Sequence, residues 1–68
     1  MSLLKITLNG ETRETDAETL GELCASLGFS DMKIATALNG EFVPAGQRAE
    51  TRLGQDDRIE IVAPRQGG

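Results

Sequence analysis

Leu4, Ile6 and Leu8 alternate with Lys5, Thr7 and Asn9. A period of two marks a strand with one buried face. Asn9-Gly10 follows, and that pair predicts a type I′ hairpin turn, whose two central residues both need positive φ. Glu11 to Asp16 (Glu-Thr-Arg-Glu-Thr-Asp) then returns as a strand. It is polar throughout, as expected of a sheet edge whose charges discourage pairing with another chain. Leu20, Leu23, Cys24 and Leu27 change the period to i, i+3, i+4, i+7, the apolar stripe of a helix of about two turns. Thr19 and Glu22 have capping-box spacing at its start, with Asp16 as a competing cap, and Gly28 occupies the left-handed stop position. Gly21, inside the helix, costs roughly 1 kcal/mol relative to Ala; it either marks close approach of a neighbour or is simply tolerated.

Ile34 to Leu38 (Ile-Ala-Thr-Ala-Leu) reads as a third strand, mostly apolar and central in its sheet. Asn39-Gly40 repeats the hairpin signal. Glu41-Phe42-Val43 is a short strand stopped by Pro44, which has no N–H for a ladder. Ala45 to Arg52 is a loop containing a helical turn, with Leu53 packing inward after it. Gly54 to Asp57 is a turn cluster. Arg58 to Ala63 is the last strand, with Ile59 and Ile61 on its buried face. Pro64-Arg65-Gln66-Gly67-Gly68 has no periodicity and no large apolar side chain. Residues 1–63 therefore read as one domain and 64–68 as a flexible C-terminal tail. The order implies an α+β fold, a mixed sheet packed on one helix. Pairing the first and last strands at its centre would bury Leu4, Ile6, Leu8, Ile59 and Ile61 together. The opposite phase leaves Leu3 and Val62 outside, and with Phe42 or Val43 they would form an apolar docking patch beside the tail.

Composition narrows the chemistry. The 68 residues include no His, Trp or Tyr. The commonest general base and metal ligand is thus missing. The single Cys24 can form neither an internal disulfide nor a Cys-rich zinc site, and a chain without such staples suits a reducing cytoplasm. In the apolar stripe Cys24 reads as a core residue. Asp56-Asp57, without further ligands, reads as a solvated pair, so no metal site is expected. Arg48, Arg52, Arg58 and Arg65 read as solvated charges able to guide docking. The net charge of −4 disfavours nucleic acid. No apolar run approaches the ~20 residues of a membrane span, and Met1-Ser2-Leu3-Leu4-Lys5 is too quickly polar for a signal peptide.

What remains is the end of the chain. Two glycines alone are a weak signal. Following a compact domain by a few residues, Gly67 and Gly68 gain weight, because a tail without Cβ atoms can enter a narrow site on another protein. A carboxylate at Gly68 is a poor electrophile until a partner activates it with ATP, typically as an acyl-adenylate. A sulfur nucleophile could then displace AMP. In that scheme this chain supplies recognition and delivery, and the chemistry belongs to others.

Ile6-Thr7-Leu8-Asn9-Gly10-Glu11, Thr19-Leu20-Gly21-Glu22-Leu23, Ala37-Leu38-Asn39-Gly40-Glu41-Phe42-Val43-Pro44, Asp57-Arg58-Ile59-Glu60-Ile61-Val62 and Gln66-Gly67-Gly68 stand in a specific order. Together they resemble the ThiS family, the sulfur-carrier proteins of thiamine (thiazole) biosynthesis. More distantly they are similar to the molybdopterin synthase small subunit (MoaD). The resemblance covers essentially the whole chain and implies a ubiquitin-like β-grasp. It implies that Gly68 is the adenylated and then thiocarboxylated residue, with Gly67 beside it in the partner's channel. The implied partners are a ThiF-type adenylyltransferase using ATP and magnesium, a sulfur donor system, and thiazole synthase (ThiG) as acceptor. No cofactor on this chain, no nucleic acid and no membrane are implied. The protein would be a carrier or co-substrate, not an enzyme. Alternatives are a molybdopterin-synthase-like small subunit, and a ubiquitin-like modifier or interaction domain without sulfur transfer. The chain departs from the family pattern at Ala45, where a basic residue is common, and at Arg48, where an aromatic is common. In place of an Asp-Gly-Asp turn it has Gly54-Gln55-Asp56-Asp57.

Overall fold

The computed structural model describes residues 3–29 and 33–63. Five strands form one sheet: β1 (Leu4–Leu8), β2 (Glu11–Thr15), β3 (Ala35–Leu38), β4 (Glu41–Val43) and β5 (Arg58–Val62), in the order β2-β1-β5-β3-β4. A helix, α1 (Leu20–Ser26), follows β2, and a 3₁₀ helix, η1 (Ala45–Glu50), follows β4. β1 and β5 run parallel at the centre, and every other pairing is antiparallel.

Central pairing puts the two cleanly alternating strands side by side. Ile6, Leu8, Ile59 and Ile61 are buried against Leu20, Leu23 and Cys24 of the helix, with Ala17 and Val43 completing the core. Full burial of each large aliphatic side chain contributes roughly 1.5–3 kcal/mol. That matters for α1, because a seven-residue helix is marginal on its own. Leu4, Leu27, Ile34, Leu38 and Leu53 pack around this cluster, half-buried.

Both ends of α1 are closed. The Thr19 hydroxyl accepts from the Glu22 N–H at 3.1 Å. The returning arm of the expected capping box lands one residue earlier, where the Glu22 carboxylate accepts from the Glu18 N–H at 2.8 Å. At the other end Gly28 has φ +88° and donates to the Ala25 carbonyl, while Phe29 donates to Cys24. These two bonds are a Schellman stop. Gly21 is explained by contact: a Cβ there would stand 3.2 Å from the Ala49 Cα of η1.

Two expectations are refined. β3 lies inside the sheet as foreseen, but the residue it drives into the core is Thr36, only 1% exposed. The Thr36 hydroxyl donates to the Val43 carbonyl at 2.8 Å and accepts from Arg48 Nε at 3.0 Å, which removes the penalty for burying it. The helical turn foreseen between residues 45 and 52 is the six-residue η1. It packs on α1 at Gly21 and is tied to the helix start by the Leu20 N–H, which donates to the Thr51 carbonyl.

Candidate functional site

The expected chemistry lies at residues 64–68, with Gly67 and Gly68 at its centre. Those residues lie outside the described ones, as does Arg65. The structure does describe where that segment begins. β5 is the last element among the described residues, and it reaches Val62 from the middle of the sheet.

The two Asn-Gly turns hold this strand. Asn9 and Asn39 have φ of +51° and +52°, each followed by a glycine also at positive φ, as the hairpin reading required. Asparagine tolerates this region better than most residues. Their side chains do something the hairpin reading did not contain. Asn9 Nδ2 donates to the Ile61 carbonyl at 3.1 Å, and Asn9 Oδ1 accepts from the Ile61 N–H at 2.9 Å. Asn39 Oδ1 accepts from the Arg58 N–H at 2.9 Å, and Asn39 Nδ2 donates to Asp57 Oδ1 at 3.0 Å. The sequence signal is the same in both cases, asparagine in place of the equally permissive glycine or aspartate. It acquires this meaning only when the last strand is known to lie between the two hairpins.

The outer face of the sheet is the second part of the site. Thr36 points inward, so Ala35 and Ala37 point outward. Ala37 is paired with Phe42 of β4, and Ala35 with Val62 of β5. Phe42 is 69% exposed and Val62 61%. The two alanines therefore floor a shallow trough between Phe42 on one side and Val62 with Glu60, the β5 partner of Ala37, on the other, and Val62 is the last residue of β5. This corrects the patch expected from sequence. Val43 is buried in the core, only 7% exposed. Leu3 is exposed but stands at the other end of the sheet. Because Thr7 and Arg58 are partners in a parallel pair, Leu3 lies about 25 Å from Val62 along the strands.

Other candidates have structural occupations. Cys24 is a free, buried thiol, and burial pushes it up, with the Arg48 charge pulling weakly the other way. Arg48, expected as a solvated charge, turns inward instead. Its Nη2 donates to the Ile34 carbonyl at 2.6 Å and its Nε to Thr36. Arg52 and Arg58 stay exposed. The Asp57 carboxylate accepts from the Gly54 N–H at 2.7 Å and from Asn39, shaping the turn before β5. Among the described residues no three His, Cys, Asp or Glu side chains come together to hold a metal ion. Among those same residues no helix is long and apolar enough to cross a membrane.

A central parallel pair, two flanking hairpins and one packed helix define a ubiquitin-like β-grasp, with the trough and the start of the C-terminal segment at one end of its last strand. The same fold is seen in the crystal structure of the thiamine biosynthesis protein ThiS from Geobacter metallireducens. The match has a TM-score of 0.79 and 26% identity, covering 96% of this chain and 100% of that one. The ThiS family model matches residues 6–68, and the chain belongs to the ThiS family. A thiazole synthase of Paramagnetospirillum magneticum is 36% identical over 66 residues, which covers 96% of this chain and 20% of that protein. The chain thus spans one fifth of that relative's length.

Proposed function

We infer that this protein carries sulfur on the carboxylate of Gly68 and delivers it for construction of the thiazole of thiamine. The observation that carries the reading is the match to the ThiS family through Gly68 on a β-grasp whose last described strand ends at Val62, a few residues before Gly67-Gly68 in the sequence. The carboxylate oxygen of Gly68 attacks the α-phosphorus of ATP on a ThiF-type partner, which also holds magnesium. Pyrophosphate leaves, and a glycyl adenylate forms. Hydrosulfide-level sulfur from a donor system then attacks the acyl carbon, the bond to AMP breaks, and a thiocarboxylate remains with release of a proton. Gly67 lets this end pass a narrow channel, since a Cβ at either position would widen it. The chain acts as a co-substrate throughout.

Thiazole synthase (ThiG) is the proposed acceptor. The relative of that name, which contains a stretch similar to nearly all of this chain, supports it. The trough of Phe42, Ala37, Ala35 and Val62 is the proposed face toward the activating partner, because it adjoins the end of β5.

Intact mass spectrometry tests the reading. The protein is incubated with ATP, magnesium, a competent ThiF-type enzyme and a sulfur donor. The expected result is a gain equal to the difference between sulfur and oxygen. Deletion of Gly68 abolishes the gain, and Cys24→Ala leaves it in place. No gain in the wild type, with the activating enzyme shown active on another carrier, rejects the reading. Loss of the gain in Cys24→Ala moves the sulfur to the wrong residue and rejects it equally. The same spectrum of protein taken from cells identifies the residue at which the natural chain ends.

A further inference from the structure

β1 ends at Leu8, opposite Ile59, yet β5 continues to Val62. The Asn9 N–H still donates to the Ile59 carbonyl at 2.9 Å, and there the backbone of the first hairpin turns away. A further rung of the parallel ladder would need another residue of β1. The Asn9 carboxamide fills that rung instead, offering one donor and one acceptor to the backbone of Ile61 as a strand residue would. Alternate residues of β5 face opposite neighbours. The β1-facing edge at Ile61 has no other partner among the described residues, while the opposite edge is held by β3 as far as Val62.

The second turn makes the comparison. Asn39 performs the matching task for the first residue of the strand, Arg58. One asparagine therefore anchors the entrance to β5 and the other its exit. Only the exit bears on Gly67 and Gly68, which follow Ile61 by six and seven residues. A chain leaving a sheet keeps the direction of its last residue held on both edges. Release of Ile61 on one edge leaves the end of β5 held by β3 alone and loosens the backbone from which the segment a partner must capture departs.

We propose that Asn9 is a positioning residue for the C-terminal segment: its carboxamide locks Ile61 into the sheet and so sets the direction in which the chain leaves toward a partner's active site. The proposal rests on the carrier reading. Its effect falls on binding, because the added freedom is lost when the partner captures the segment, whereas the captured geometry is unchanged. Ordering about one more residue on capture weakens binding about tenfold. KM for the carrier should rise by that factor, with kcat nearly unchanged.

Asn9→Gly tests this cleanly. Glycine takes the positive φ of the turn without strain and removes the side chain with its carboxamide. Asn39→Gly makes the same change at the entrance and serves as the matched control. Thiocarboxylation kinetics with the activating enzyme, read by intact mass, are combined with amide hydrogen exchange. Asn9→Gly is expected to raise KM about tenfold and to speed exchange at Ile61 and Val62. Asn39→Gly is expected to speed exchange at Arg58 and to leave KM within about twofold of wild type. A folded Asn9→Gly protein with wild-type KM overturns the proposal. So does an equal rise in KM for Asn39→Gly, which would mean that any loosening of the strand suffices. Should Asn9→Gly not fold, Asn9→Asp keeps the turn and one of the two bonds, and a smaller rise in KM is expected. No rise there overturns the proposal as well. A wild-type protein that is never converted overturns the carrier reading instead, and the exchange at Ile61 distinguishes the two failures.

Discussion

Cys24 and Arg48 occupy neighbouring places and have exchanged the roles that their side-chain chemistry suggests. The thiol is a packing residue. Burial favours its neutral form, which raises it above the ordinary 9.0, with Arg48 opposing. Native protein should therefore react slowly with iodoacetamide at pH 8, and urea-unfolded protein quickly, as read by mass. The same shift has a consequence for stability. Below about pH 9 the thiol is protonated in both states, and its contribution is fully present. As pH rises further the unfolded chain loses its proton first, so stability falls until the folded thiol also titrates. Cys24→Ala should remove that alkaline loss from urea midpoints measured across the range. The guanidinium of Arg48, in turn, is spent on the Ile34 carbonyl and the Thr36 hydroxyl. Arg48→Ala strands the ends of those bonds and should cost about 1–3 kcal/mol in urea unfolding. The apolar spacing around Cys24 shows in the sequence. Nothing local to Arg48 says that it turns inward, because its partners, Thr36 of β3 and Ile34 just before it, lie 12 and 14 residues away.

Among the elements, α1 depends most on its ends. Seven residues supply too few internal bonds to hold a helix, so the Thr19 cap, the Gly28 stop and the apolar stripe must act together. Gly28→Ala forces a Cβ into a left-handed conformation at φ +88° with open space around it. The penalty is therefore backbone strain alone, about 1–2 kcal/mol. A thermal melt should show Tm lowered by about 4–8 °C for each kcal/mol. Alternation placed β1 and β5 correctly because one face of each meets a different environment from the other, whereas β2, exposed along most of its length, was placed by the hairpin turn before it. β3 was harder to read. Its middle residue is a buried threonine, and only the Arg48 and Val43 contacts make that burial tolerable.

Taken as a body, the domain has an outer sheet face divided in two. Toward β1 and β2 it carries Lys5, Thr7, Thr12 and Glu14, and toward β3 and β4 it carries the trough ending at Val62. Phe42 is exposed and contributes little to the fold, so Phe42→Glu should change unfolding free energy by no more than about 0.5 kcal/mol. On the proposed function it should weaken binding to the activating enzyme at least tenfold, measurable by calorimetry, since a charge replaces a large aromatic contact. Unchanged affinity would exclude the trough as the docking face.

Local pattern accounts for most of this protein. Strand phase, the two hairpin turns, the helix with its cap and stop, and the ordered segments that resemble ThiS can all be read along the chain. Each depends on neighbours within a few residues or on a simple preference for water or core. The trough and the Asn9 clamp depend on which strands become neighbours. Val43 and Phe42 are adjacent in sequence and equally apolar, and only the register with Thr36 and Ala37 sends one into the core and the other to solvent. Asn9 and Ile61 are 52 residues apart. A turn signal places the asparagine, but the hydrophobic collapse that brings β5 between β1 and β3 is what supplies its side chain with a backbone to hold.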